Sequence, residues 1–236
     1  MRVKRPCPGQ MDAPRTLTKP FEGANEPLGW GGTAARGPYR GIPARLWGHM
    51  RAVRVAGAMA GDSNTAVQFN GTDEYGTVAR QISGDFSVEF WFTSTQNYSN
   101  DYGLPTCTYW WQGAGLIDDQ GAGINDFGIS LRSGKVIAGV GGITEVNIVT
   151  SGTYNNGAWH HVVFTRTQAS GAAALYVDGI LSGTVTGSVN AMDSQNTINF
   201  GRSAAGVQYY AGSLDEVAMY TTVLSPPIVT AHYNAR

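Results

Sequence analysis

Charge is scarce in this chain of 236 residues: Asp, Glu, Lys and Arg together make up 14%, and the formal net charge is -1. So low a density excludes a charge-laced coiled coil, and the 42% hydrophobic content excludes a disordered chain. Cysteine is nearly absent. Cys7 and Cys107 stand far apart with no C-x-x-C or Cys/His spacing around them, which excludes a disulfide framework and a zinc motif, so both read as free thiols. No apolar run reaches the 18 residues of a membrane-spanning helix, and the basic opening Met1–Gly9 has no apolar stretch of a signal peptide behind it. What the chain has in quantity is glycine, 32 residues, and aromatic side chains, 11%.

The near-zero net charge hides a split. Residues 1–61 carry ten basic against three acidic residues and seven of the ten prolines, a net of +7, whereas residues 62–236 carry six against fourteen, a net of -8. We divide the chain there. The first part reads as a basic, Pro/Gly/Arg-rich segment expected to be flexible, with a strand near 44–56 as the alternative. Its charge could attract phosphates, but basic and aromatic residues do not interleave beyond Trp30, Tyr39 and Trp47, so nucleic acid is not the expected partner.

From Asp62 the pattern is one of short strands and turns. Within Asp85–Thr93 the residues Phe86, Val88, Phe90 and Phe92 share one face and Ser87, Glu89, Trp91 and Thr93 the other, the period of a core strand. A hairpin is read at 65–70 and 74–79, and further strands near 126–132, 135–140, 143–150, 158–168, 172–178, 180–186, 196–201 and 207–221. Only one helix is persuasive, with Ser225 as N-cap and Pro226 at its first position. Eleven or twelve closely spaced strands predict an all-β, two-sheet antiparallel sandwich with one short C-terminal helix, because a single open sheet of that size would leave an apolar face uncovered.

Five stretches carry a family resemblance. Gly61–Tyr75, Phe86–Phe92 (FSVEFWF), Trp159–Thr165 (WHHVVFT), Leu175–Gly179 (LYVDG) and Ala211–Tyr220 (AGSLDEVAMY), followed by Leu224-Ser225, resemble in order the LamG-like jelly-roll domains of the concanavalin A-like lectin/glucanase superfamily. Upstream of Gly61 the likeness fades, and Gly31–Arg40 stands where the family has a polar, Gly-rich stretch. A degenerate segment or a shifted reading frame would account for that. The resemblance implies a jelly-roll sandwich working outside the cell, at a cell surface or in a virion, and suggests adhesion or recognition. It also implies a structural calcium, held by the Asp of the LDEV motif, Asp215, together with oxygens of the loop at Gly71 and Asp73.

Because the superfamily includes glucanases, paired carboxylates would mark an enzyme. Glycoside hydrolysis needs two acids flanking the bond, on a strand at i and i+2 or i+4. Asp85 and Glu89 share parity but are separated by Ser87 within a core strand, and Asp215 and Glu216 are adjacent and so face opposite ways. No enzyme is expected. Asp215 shares parity with Val217 and Met219, which predicts that it points with them; a carboxylate buried there needs a cation or, as the alternative to calcium, backbone N–H donors at a strand end. The loop Asp118–Asp126 reads as solvated, with cation binding as its alternative. His160 and His161 read as framework residues, and His49 and His232 have no partner in the sequence. Sugar recognition uses an aromatic face against a pyranose, plus a few polar groups. The candidates for ligand binding are Tyr109, Trp110, Trp111, Tyr209 and Tyr210, with Tyr98 and Tyr102 in a nearby loop. The expected function is non-catalytic recognition of a carbohydrate or protein ligand. The alternative is a structural domain of a larger extracellular or phage virion assembly, and a glycoside hydrolase stands third.

Overall fold

The computed structural model describes residues 28–29, 45–46, 53–61, 63–97, 109–121, 125–142, 145–203 and 208–236. The strands are β1 (Leu28–Gly29), β2 (Arg45–Leu46), β3 (Val53–Ala56), β4 (Thr65–Asn70), β5 (Gly76–Ala79), β6 (Phe86–Thr93), β7 (Ala114–Asp118), β8 (Phe127–Arg132), β9 (Lys135–Val140), β10 (Val146–Val149), β11 (His160–Arg166), β12 (Ala172–Val177), β13 (Ile180–Thr186), β14 (Thr197–Phe200) and β15 (Ala211–Tyr220). A 3-10 turn covers Trp110–Gln112, and the helix α1 is Pro226–Tyr233. The strands form a six-stranded sheet in the order β10-β9-β8-β7-β14-β5 and a seven-stranded sheet in the order β13-β12-β11-β6-β15-β4-β3, with β1 and β2 paired apart. All pairings are antiparallel.

The period of two sets what lies between the sheets. Phe86, Val88, Phe90 and Phe92 of β6 meet Val162 and Phe164 of β11, and across the gap Phe127, Ile129 and Leu131 of β8 and Val136, Ala138 and Val140 of β9. Phe86 packs on Phe127 with ring centroids 4.7 Å apart. Burial of such side chains contributes about 1.5–3 kcal/mol each. The Ile180–Thr186 strand and the helix start at Ser225–Pro226 lie where the pattern puts them.

Two features depart from the sequence reading. The strand β7 sits at the centre of the six-stranded sheet but shows no clean alternation, because the register shifts between Gly115 and Ile117 and brings Leu116 and Ile117 both into the core. Second, Asp215 does not point with Val217 and Met219. A bulge between Asp215 and Ala218, with Glu216 at φ 47°, leaves Leu214 and Met219 in the core and Asp215 opposite Trp91 on the outer face. Val53–Ala56 pairs with β4 at the edge of the seven-stranded sheet, which is the alternative left open for residues 44–56, so the sandwich takes a strand from upstream of the charge boundary. Cys7, Cys107, Tyr98 and Tyr102 lie outside the described residues.

Candidate functional site

The two sheets have very different outer faces. On the seven-stranded sheet, α1 lies over Ser87, Glu89 and Trp91 of β6 and His161 and Val163 of β11. Ser87 is the first anchor: its Oγ donates to the Thr222 carbonyl at 2.9 Å and accepts from the Leu224 N–H at 2.8 Å. Leu224 and Val229 then pack on Val163 and Tyr176. Glu89 is the second. It is 1% exposed, with Oε1 2.8 Å from His161 Nε2 and 2.9 Å from His232 Nδ1, and its Oε2 accepts from the Tyr220 hydroxyl at 2.9 Å. Burial pushes the Glu89 carboxyl up, but the bond and charge of His161, the charge of His232 and the Tyr220 bond outweigh it and hold the group below its ordinary value. Tyr233 stacks on Trp91 at 5.9 Å, and the Arg236 guanidinium lies 5.3 Å from the Trp91 ring. The histidine pair therefore splits as expected for a strand. His161 serves this clamp, while His160 on the other face is held between Asp178 at 2.8 Å and Asn156 at 3.0 Å. His232, unassignable from sequence, finds its partner 143 residues away.

On the six-stranded sheet a cross-strand row reads Asn147, Gly139, Gly128, Asp118, Asn199, Thr77, from β10 to β5. Its two glycines make a flat floor. A Cβ added at Gly128 would stand 2.4 Å from the Trp110 ring, and one at Gly139 would stand 2.3 Å from it, so the indole lies directly on the backbone. Trp110 Nε1 donates to Glu145 at 3.2 Å and the Trp110 N–H to Asn147 Oδ1 at 2.8 Å. Gln112 closes the turn, its Oε1 accepting from the Tyr109 N–H and from Arg132, both at 3.0 Å. Fixed in this way, Tyr109 and Trp111 flank the buried Trp110, remain partly exposed, and stack at 5.4 Å with 9° between planes.

The aromatic candidates thus separate. Tyr109, Trp110 and Trp111 form one unit, in which Trp110, 1% exposed, is the base rather than a contact surface. Tyr209 is partly exposed and bridges to Arg202, whose guanidinium lies on the Tyr75 ring. Tyr210 corrects the sequence reading: it is fully buried, its hydroxyl donating to the Thr93 carbonyl at 2.7 Å, because its neighbour takes the outward position. Gln112, Arg132, Asn147 and Glu145 were not foreseen; the available signal was a glycine within each of two successive strands, Gly128 and Gly139.

The residues named for calcium are not brought together. Asp73 accepts from Asn70 Nδ2 at 2.7 Å in an exposed loop, and Gly71, at φ 75°, turns that loop beside Ala211. Asn70 is opposite Ala211, whereas Asp215 lies four residues further along β15, about 13 Å by strand rise. There it is 1% exposed and accepts from the Ala58 N–H at 2.6 Å. Among the described residues no three His, Cys, Asp or Glu side chains gather as a metal site. Nor do the acids pair as in a glycosidase: Asp85 accepts from the Gln168 N–H at 2.7 Å, and Glu89 is enclosed by the helix clamp.

With both faces described, comparison with known proteins is decisive on family. The pattern of the concanavalin A-like lectin/glucanases superfamily matches residues 62–230. The chain belongs to that superfamily. No curated protein matches it. Among solved structures, the binding domain of Paraclostridial Mosquitocidal Protein 1 aligns at 19% identity and a TM-score of 0.62, over 82% of this chain and 48% of that one. The receptor binding domain of botulinum neurotoxin type G aligns at 15% identity and 0.57, over 81% and 46%. Domain 4 of AbnA, an extracellular arabinanase from Geobacillus stearothermophilus solved with arabinotriose, aligns at 18% identity and 0.59, over 81% and 88%. The chain spans about half of the two toxin domains and most of the arabinanase domain, and at these identities the likeness shows the jelly-roll fold. No helix among the described residues is long and apolar enough to cross a membrane.

Proposed function

We propose that this protein is a non-catalytic recognition module of a cell or particle surface, whose ligand is a carbohydrate laid against the Tyr109–Trp111 stack. The observation that carries the reading is the stack itself. Two partly exposed parallel rings stack on each other and flank in sequence a buried indole that rests on a glycine floor, so the surface is preorganised and loses little entropy on binding. Apolar faces of sugar rings pack on such surfaces, and adjacent amide, guanidinium and carboxylate groups give direction. The arabinanase domain solved with arabinotriose lends support, as do the toxin binding domains. A non-catalytic role fits acids that are engaged in holding the fold.

Binding to a glycan array, followed by calorimetry with arabinotriose as the first soluble probe, tests the proposal. Trp111→Ala should remove the signal while leaving the melting temperature within about 2 °C of wild type. A second reading, a protein-contact domain of a larger extracellular or virion assembly, draws on the edge strand β13, where Ile180 is 72% and Leu181 51% exposed. Absence of any glycan signal for the wild-type chain would favour it. Turnover of laminarin would contradict both readings.

A further inference from the structure

A second platform lies on the same outer face as the Tyr109–Trp111 stack. The chain that follows β14 crosses the outer side of β7 at Gly115, where an added Cβ would stand 2.3 Å from the Arg202 carbonyl carbon, so only glycine admits the crossing. Gly115 follows Trp111 by four residues, a span of at most about 13 Å by strand rise. Arg202 is thus fixed within reach of a short oligosaccharide that already covers the stack.

Its side chain is held from two sides. Nε donates to Asn199 Oδ1 at 3.2 Å, and the guanidinium carbon lies 3.2 Å from the centroid of the Tyr75 ring. Tyr209 is the bridge partner of Arg202, and Gln96 Nε2 donates to its carbonyl at 3.0 Å. Residues opposed in an antiparallel bridge send their side chains to the same side, so Tyr75, Arg202 and Tyr209, all partly exposed, share one surface.

What Arg202 lacks is an acceptor. Of a guanidinium's five N–H groups one is spent, on Asn199, and the two terminal nitrogens meet neither an acceptor nor a carboxylate among the described residues. The acids of this face are engaged elsewhere: Asp118 Oδ1 accepts from the Gln120 N–H at 2.6 Å, and Glu145 accepts from the Trp110 indole. A guanidinium stacked on an aromatic ring is a preorganised fork whose free edge matches a planar carboxylate bidentately. The residues after the charge boundary carry a net of -8, so an anion is welcome only where such a cation is presented to it.

We propose that Arg202 binds the carboxylate of an acidic sugar, so that the ligand of this face is an oligosaccharide containing uronic acid. The inference rests on the reading of the Tyr109–Trp111 stack as the binding face and adds the ligand's charge to it. Arg202 and Tyr75 set specificity at one end of the site, and the aromatic stack supplies apolar contact at the other.

The test is calorimetry on the full chain with trigalacturonate and with its methyl ester, which differs by the loss of charge. Wild type should bind the acid about tenfold more tightly than the ester, a preference that shrinks as salt is raised. Arg202→Gln should bind both probes equally, at the affinity wild type has for the ester, and Arg202→Lys, which keeps the charge but not the fork, should restore only part of the preference. Trp111→Ala should weaken both probes alike. Equal affinity of wild type for acid and ester, or a preference that survives in Arg202→Gln, would overturn the proposal; the stack would still stand as the binding face if Trp111→Ala weakens both. Binding of arabinotriose but of neither probe would have the same meaning, and failure of all three would overturn the reading of the face as well.

Discussion

The outward residues Ser87, Glu89 and Trp91 along β6 of the seven-stranded sheet and the outward cross-strand row Gly139, Gly128, Asp118 of the six-stranded sheet lie on opposite sides of one core. The first carries large polar and aromatic side chains, and these seize a helix. The second carries two glycines, and these accept the face of a single indole. A sheet face that presents its own side chains closes itself, whereas one that presents bare backbone can hold a rigid aromatic unit partly in solvent. The same contrast holds for the two buried carboxylates: Glu89, with His161, His232 and Tyr220 around it, is held below its ordinary value, whereas burial pushes Asp119 up to about 8.

The strongest way to break this contrast is Glu89→Ala, which leaves His161, His232 and Tyr220 without their shared partner. We expect a loss of about 3–5 kcal/mol in denaturant unfolding, with α1 detaching first in hydrogen exchange. Asp119→Asn should act in the opposite direction and raise stability by about 1–3 kcal/mol above about pH 8, where the buried carboxyl would otherwise ionise. Loss of stability instead would mean that the carboxylate is already satisfied.

Acidity separates the two groups as well. The pKa of Glu89 is lower in the folded chain than in the unfolded one, so its contribution is present above the ordinary carboxylate range and disappears as pH falls through the folded value. That of Asp119 is raised to about 8, so the folded chain holds a proton that the unfolded chain has released, and stability declines as pH rises from about 4 towards about 8. Stability profiles of Glu89→Gln and Asp119→Asn should flatten the acid limb and the neutral limb respectively. On the other face, Gly128→Ala drives a methyl group into Trp110 and should cost about 1–3 kcal/mol, with a loss of ligand binding larger than the loss of stability suggests.

Much of this architecture was legible in the residues because apolar alternation survives where strands are regular. The face assignment of Phe86–Thr93 and the helix start at Ser225 needed only period and capping. It failed where a bulge breaks the period, at β7 and at Asp215, since one inserted residue reverses every face beyond it. The aromatic unit was half legible: Tyr109, Trp110 and Trp111 stood out, but their division into base and surface depends on glycines contributed by two other strands. The Glu89 clamp was not legible, because its members come from β6, β11, β15 and the helix.

Affinity for a glycan that binds wild type, measured by calorimetry across both faces, tests the central claim most directly. Trp111→Ala should weaken binding by about tenfold or more, equivalent to about 1.4 kcal/mol, whereas Tyr220→Phe, on the helix-covered face, should leave it unchanged. Equal affinity of Trp111→Ala and wild type, or a loss confined to Tyr220→Phe, would contradict the assignment of the binding face.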